Sequence, residues 1–173
     1  MILYIDPGLR ACGCALFAGG RLVAAGLPAG SKDASTDTPH GRPFLWSTMA
    51  SAVAEWCRGR GEITGVVIEL PQVRKREHQR AAKKGTDPND LIQLAAVVAA
   101  ISDRFRDSAS VGGGVRAFLP EEWKGTIPKK IHHERALARL DAAELAAIPQ
   151  LASSKLHNVL DAVALGLVDS KRL

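Results

Sequence analysis

Two short apolar runs, each closed by an acidic residue and then a proline, constrain this chain more than anything else in it. The first is Met1-Ile2-Leu3-Tyr4-Ile5-Asp6-Pro7-Gly8; the second spans Thr64 to Leu70, contains Gly-Val-Val-Ile-Glu-Leu, and is stopped by Pro71. Neither run alternates apolar with polar residues, so each reads as a strand covered on both faces. Proline has no N–H for a sheet ladder and Gly8 punctuates a turn, so the first strand must end at Asp6. A carboxylate at the tip of a buried strand is costly unless a metal, a cation or a hydrogen-bond donor meets it. Taken alone, Asp6 reads equally well as an Asx-type turn cap.

The rest of the chain supplies the layers around those strands. Ala11 to Phe17 reads as a strand, Gly19-Gly20 as a tight hairpin turn and Arg21 to Gly26 as a third strand. Residues Pro28 to Arg42 have loop composition. Leu45, Met49, Ala52, Val53 and Trp56 then recur at helical spacing, with Trp46 in the same broad stripe, and the helix ends near Gly59 and Gly61. Asp87-Pro88-Asn89-Asp90 is a helix start, with an acidic N-cap and proline at the first helical position. The helix behind it, Leu91 to Arg104, is apolar nearly all round, so it is buried or packs on another subunit. Gly112-Gly113-Gly114 has no helix directly behind it and reads as a turn before strand Val115 to Leu119. A turn at Glu121 to Lys124, a helix from Lys129 to Leu145 and a final helix from Lys155 to about Asp169, capped by Ser153-Ser154, complete the chain. The order describes an α/β fold, a mixed five-stranded sheet with helices on both faces. Residues 1–173 form one domain without repeats.

Composition narrows the setting. No apolar run approaches the ~20 residues of a membrane span, and the N-terminus lacks the basic region of a signal peptide. Cys12, Cys14 and Cys57 show no paired spacing and resemble small core residues, a C-x-C pair alone being a weak zinc signal. A cytoplasmic, reduced protein is expected. The net charge of +5 favours a polyanionic partner. Arg74, Lys75, Arg76, Arg80, Lys83 and Lys84 cluster directly behind the second strand-end acid, opposed only by Glu77. Such runs are usually solvated loops; this placement points to phosphate contact.

The last helix adds a third acid. Leu156, Val159, Leu160, Val163, Ala164 and Leu167 form its core stripe, and at about 100° per residue Asp161 falls roughly 60° beyond the Ala164 edge. His157 and Asn158, four and three residues earlier, neighbour Asp161 on the helix surface. If the two acid-tipped strands are parallel neighbours, Asp6 and Glu69 meet at the C-terminal edge of the sheet, where α/β sites form. Carboxylates so close repel, and divalent cations resolve the repulsion. Mg²⁺ prefers oxygen ligands and keeps positions open for phosphate. Two such ions ~4 Å apart can activate a water and stabilise the leaving oxygen of a phosphodiester.

Ile-Asp-Pro-Gly with Gly13 downstream, Val-Ile-Glu-Leu-Pro-Gln, and His-Asn-Val-Leu-Asp-Ala-Val-Ala together resemble the RuvC-type Holliday-junction resolvases of the RNase H-like superfamily. The chain is more closely similar to RuvC-like proteins of phages, over essentially its whole length. The resemblance implies a βββαβαβα RNase H-like core, a homodimer, and Mg²⁺- or Mn²⁺-dependent nicking of branched DNA, Holliday junctions above all. It implies that Asp6, Glu69 and Asp161 are metal ligands. The family's fourth ligand stands three residues before the last aspartate, a position held here by Asn158 and not an acid. His157, one residue further away, is the favoured fourth ligand or proton shuttle, with Asn158 its rival. Pro120-Glu121-Glu122-Trp123-Lys124-Gly125-Thr126 resembles the segment in which such resolvases place a lysine near the scissile phosphate. That gives Lys124 this role, with Lys129 and Lys130 as further phosphate contacts.

The nearly all-apolar helix would then contribute to the dimer interface, and the basic run would hold the DNA backbone without reading its sequence. His132 and His133, at a helix start among basic residues, are expected to be solvated. Two other classes remain open: a non-catalytic nucleic-acid-binding protein on the same fold, and an ATP-handling actin-like relative. The second needs two such domains and an adenosine motif, for which the chain is too short. No small-molecule cofactor is expected.

Overall fold

A computed structural model of the chain describes residues 1–31, 42–72, 88–109 and 114–173. Its strands are β1 (Ile2–Asp6), β2 (Gly13–Ala18), β3 (Arg21–Gly26), β4 (Gly65–Glu69) and β5 (Val115–Phe118). Its helices are α1 (Arg42–Cys57), α2 (Pro88–Ala109), α3 (Pro120–Trp123), α4 (Lys129–Leu137), α5 (Ala142–Ala146) and α6 (Ser153–Asp169). The strands form one mixed sheet in the order β3-β2-β1-β4-β5. β1 pairs antiparallel with β2 and parallel with β4, and β4 pairs parallel with β5. This is the RNase H-like arrangement. The Gly19-Gly20 hairpin is as expected, both residues taking the positive φ that favours glycine.

Both faces of the sheet are buried, which is why β1 and β4 read as continuous apolar runs. Leu3, Ile5, Val66 and Ile68 pack under α1 and α2 with Met49, Val53, Val97 and Ile101. The alternate residues Tyr4 and Val67 pack on the opposite face, under α6 and α4, with Phe17, Val163 and Leu167. Cys12, Cys14 and Cys57 are free thiols buried in the first of these layers, as small core residues. Tyr4 donates from its hydroxyl to Asp169 at 2.8 Å, and Arg116 grips the same carboxylate at 2.7 and 2.9 Å, tying β1, β5 and α6 together.

Three expectations change. The helix expected over Lys129 to Leu145 breaks into α4 and α5, because Asp141 caps a new helix. Its carboxylate accepts from the Glu144 N–H at 3.0 Å while Glu144 accepts from the Asp141 N–H at 3.1 Å. The Glu144 carboxylate also accepts from the Leu22 N–H on edge strand β3 at 2.9 Å, so the break covers an exposed sheet edge. The last helix begins at Ser153 itself, with Ala152 at the cap position and no side-chain cap. α2 is not buried all round: Val97, Val98, Ile101 and Phe105 enter the core, whereas Ile92, Ala95 and Ala99 are exposed. Among the described residues no helix is long and apolar enough to cross a membrane.

Candidate functional site

Strand parity decides where the first two acids point. Side chains alternate along a strand, so Asp6 shares the face of Tyr4 and Glu69 shares that of Val67, the α6 face of the sheet in both cases. The parallel register runs through Ile5–Ile68, which puts Asp6 and Glu69 side by side one step further, at the strand ends. Helix α6 brings Asp161 over them, 3 % exposed. Two glycines allow that approach. A Cβ on Gly13 of β2 would lie 1.9 Å from the Asn158 carbonyl oxygen, and one on Gly166 of α6 would lie 2.4 Å from the Phe17 ring. Only hydrogen at those positions lets helix and sheet sit so close.

The charges are mutually coupled. Burial pushes the Asp6 carboxyl well above its ordinary range, and the neighbouring Asp161 and Glu69 add to the rise. Burial likewise raises Glu69; Lys124 pulls it back only in part and Asp161 opposes that pull. Burial works against Asp161 too, but hydrogen bonds from His133 and Lys129 prevail and hold its carboxyl below the usual value. The cations come from α3 and α4, in the helical connection between β5 and α6. Lys124, the C-cap of α3, lies 3.3 and 3.4 Å from the two Glu69 oxygens and 4.7 Å from the Trp123 ring centroid. Lys129, at the start of α4, forms an ion pair with Asp161 Oδ2. His133, one turn on, lies with Nε2 2.7 Å from Asp161 Oδ1.

Thus the structure brings together Asp6, Glu69, Asp161, Lys124 and Lys129. Lys130 stays at the exposed surface beside Glu134. His157 and Asn158 are half-buried on α6, and among the described residues neither hydrogen-bonds to Asp161. The run Arg74, Lys75, Arg76, Arg80, Lys83 and Lys84 lies outside the described residues.

The expectation of solvated histidines is corrected. His132 is buried edge-on against Trp123 at 5.2 Å, and burial lowers its pKa; His133 is mostly buried on Asp161. The missed signal was spacing: Lys129 and His133 are four apart and share a helix face, and that face meets α6.

The donor set suits a hard divalent ion in chemistry, being three carboxylates on one face with Asp6 squeezed between like charges. As they stand, no three His, Cys, Asp or Glu side chains among the described residues converge to enclose a metal, and lysine ammonium groups engage Glu69 and Asp161 instead.

No protein-family model and no curated protein matches the sequence. Solved structures do match its fold. RuvC of Thermus thermophilus in complex with a Holliday junction substrate is similar with a TM-score of 0.59 and 19 % identity, over 96 % of this chain and 90 % of that one. A second Thermus thermophilus RuvC structure gives a TM-score of 0.56 and 18 % identity, over 96 % and 91 % of the two chains. The yeast mitochondrial Holliday junction resolvase Ydc2 gives 0.55 and 11 %, over 98 % and 78 %. At these identities the likeness is one of fold.

Proposed function

We propose that this protein is a divalent-metal-dependent endodeoxyribonuclease that resolves Holliday junctions or other branched DNA by paired nicks, leaving 5′-phosphate and 3′-hydroxyl ends. The observation that carries the reading is the meeting of Asp6, Glu69 and Asp161 on one face at the strand ends, with Lys124 and Lys129 beside them. In this reading Asp6, Glu69 and Asp161, with His157 or Asn158 as fourth, hold two Mg²⁺ or Mn²⁺ ions. The chemistry such ions supply when bound is activation of a water and stabilisation of the leaving oxygen. Lys124 presents its ammonium to the scissile phosphate, and Lys129 and Lys130 bind flanking phosphates. The basic run from Arg74 to Lys84 grips the backbone without reading sequence, which makes binding steeply salt-dependent.

Residues 1–173 serve as a single nuclease domain of the phage RuvC-like kind, working in the cytoplasm in DNA recombination and repair. The exposed Ile92, Ala95 and Ala99 of α2, with exposed Phe44 on α1, suit the interface of a homodimer whose two sites cut symmetric strands. The test is nicking of junction, flap, linear duplex and RNA–DNA hybrid substrates with Mg²⁺ or Mn²⁺. Cleavage of branched DNA that disappears in Asp6→Asn is expected; undiminished activity in that variant overturns the assignment. One observation favours a second reading, a non-catalytic nucleic-acid-binding protein: the lysines already neutralise Glu69 and Asp161. Metal-independent junction binding without cleavage would select it.

A further inference from the structure

Asp161 is held from outside its own helix. Both of its oxygens are engaged, Oδ1 by His133 Nε2 at 2.7 Å and Oδ2 by the Lys129 ammonium, and both partners stand on α4. A carboxylate oxygen accepts, so in this 2.7 Å contact Nε2 of His133 carries the proton and donates. The two contacts differ in kind. Lys129 reaches in on a four-carbon stem and stays 48 % exposed, whereas the His133 side chain is 12 % exposed and has two torsions to fix. The lysine is a counter-charge that a stronger cation can replace; the imidazole is an orienting bond. His132 cannot share the task, because its ring packs on Trp123 with neither nitrogen hydrogen-bonded.

We infer that His133 is a positioning residue of the site: it clamps Asp161 through Oδ1, so that Oδ2 faces the position now taken by the Lys129 ammonium, where a divalent cation would bind. The inference rests on the metal-dependent reading above and deepens it, naming the residue that fixes the last carboxylate. Partners of this kind, one shell behind the metal, typically set about 10- to 100-fold in metal affinity.

The test is Mn²⁺ binding to the full chain without DNA, followed by electron paramagnetic resonance of the free ion, for wild type, His133→Ala and His133→Gln. His133→Ala should bind Mn²⁺ about 10- to 100-fold more weakly. His133→Gln, whose amide can donate to the same oxygen, should recover most of the loss. Ring ¹⁵N shifts give a readout free of metal: the wild type should show the Nε2–H form at His133, and Asp161→Asn should disturb it. Wild-type Mn²⁺ affinity in His133→Ala, with junction cleavage intact in the wild type, overturns the positioning role alone. A wild type that neither binds Mn²⁺ nor cleaves overturns the nuclease reading and the positioning role with it. A His133→Gln variant that folds yet binds no better than His133→Ala also counts against the orienting bond.

Discussion

Replacing Asp6 by Asn should stabilise the metal-free protein while it destroys activity. Asp6 and Glu69 sit on adjacent strands and one face, and strands lie ~4.8 Å apart. Two charges ~5 Å apart at an effective dielectric of ~20 repel by about 3 kcal/mol. Lys124 and Lys129 return part of that, so a net gain of about 1–2 kcal/mol for Asp6→Asn is a reasonable expectation. For a domain of this size that raises Tm by roughly 3–6 °C. The pH dependence has a definite sign. The folded pKa of Asp6 lies above its ordinary value of 3.8, so the native state binds the extra proton. The wild type therefore loses stability relative to Asp6→Asn as pH rises from about 4 through the folded pKa, and the gap closes again on acidification. Adding Mn²⁺ should invert the order, because an ion that binds only the native wild type stabilises it by mass action. The assay is thermal unfolding of both proteins in EDTA at pH 5 and pH 8, then at pH 8 with Mn²⁺. Equal Tm values in EDTA at both pH values would mean that Asp6 feels no crowd of carboxylates, and the account of the site would fall.

Gly13→Ala should cost at least about 1–3 kcal/mol and abolish nicking, because its Cβ drives Asn158, and Asp161 with it, off the sheet; wild-type Tm and activity would refute the close-approach argument. Glu144→Ala breaks hydrogen bonds from Arg172 at 2.6 and 2.8 Å and from the Leu22 N–H, and should cost about 3–5 kcal/mol in urea unfolding. Hydrogen bonding to Arg172 holds Glu144 at about 2, so its contribution is full above about 4.5 and fades toward pH 2; a gap from wild type that stays constant over that window contradicts the assignment. Lys124→Met should lower nicking by about 100-fold and reduce the salt dependence of junction binding by about one phosphate contact, as measured by cleavage rates and titrations at graded salt.

The sheet was legible because burial on both faces leaves a mark in sequence: an apolar run without alternation, cut by proline. The Asp6-Pro7 and Glu69-Leu70-Pro71 ends lie within a residue of where the strands stop. What escaped was structure written in polar residues that have two uses. Asp141 and Glu144 fall inside the stretch Lys129 to Leu145 that reads as one helix, because acidic residues do not by themselves interrupt a helical pattern. Their capping box was present in the order Asp-Ala-Ala-Glu, and only the edge of β3, far away in sequence, gave it a reason to form. α2 misled in the opposite direction: alanine is apolar enough to count as core, yet small enough to face solvent at little cost, as Ala95 and Ala99 do.

The same asymmetry explains why the acids of the site were visible from their own settings, whereas Lys124 and Lys129 were reached only through the resemblance and His133 not at all. Asp6, Glu69 and Asp161 stand out because each interrupts an apolar setting, where a charge needs a cause. Lys124, Lys129 and His133 interrupt nothing: they belong to a polar stretch that a soluble protein can place in water. Their role comes from distant elements: Lys124 meets Glu69 of β4, and His133 meets Asp161 of α6, 28 residues further along the chain. A local pattern can flag a misplaced charge, but it cannot say which distant cation neutralises it. His157 and Asn158 were named for the fourth position by the resemblance and by their place beside Asp161 on one helix; the donor that reaches Oδ1 stands on α4, where no local reading of α6 could find it. The burial of an anion can be read from one segment; the identity of its counter-charge is a property of the packed fold.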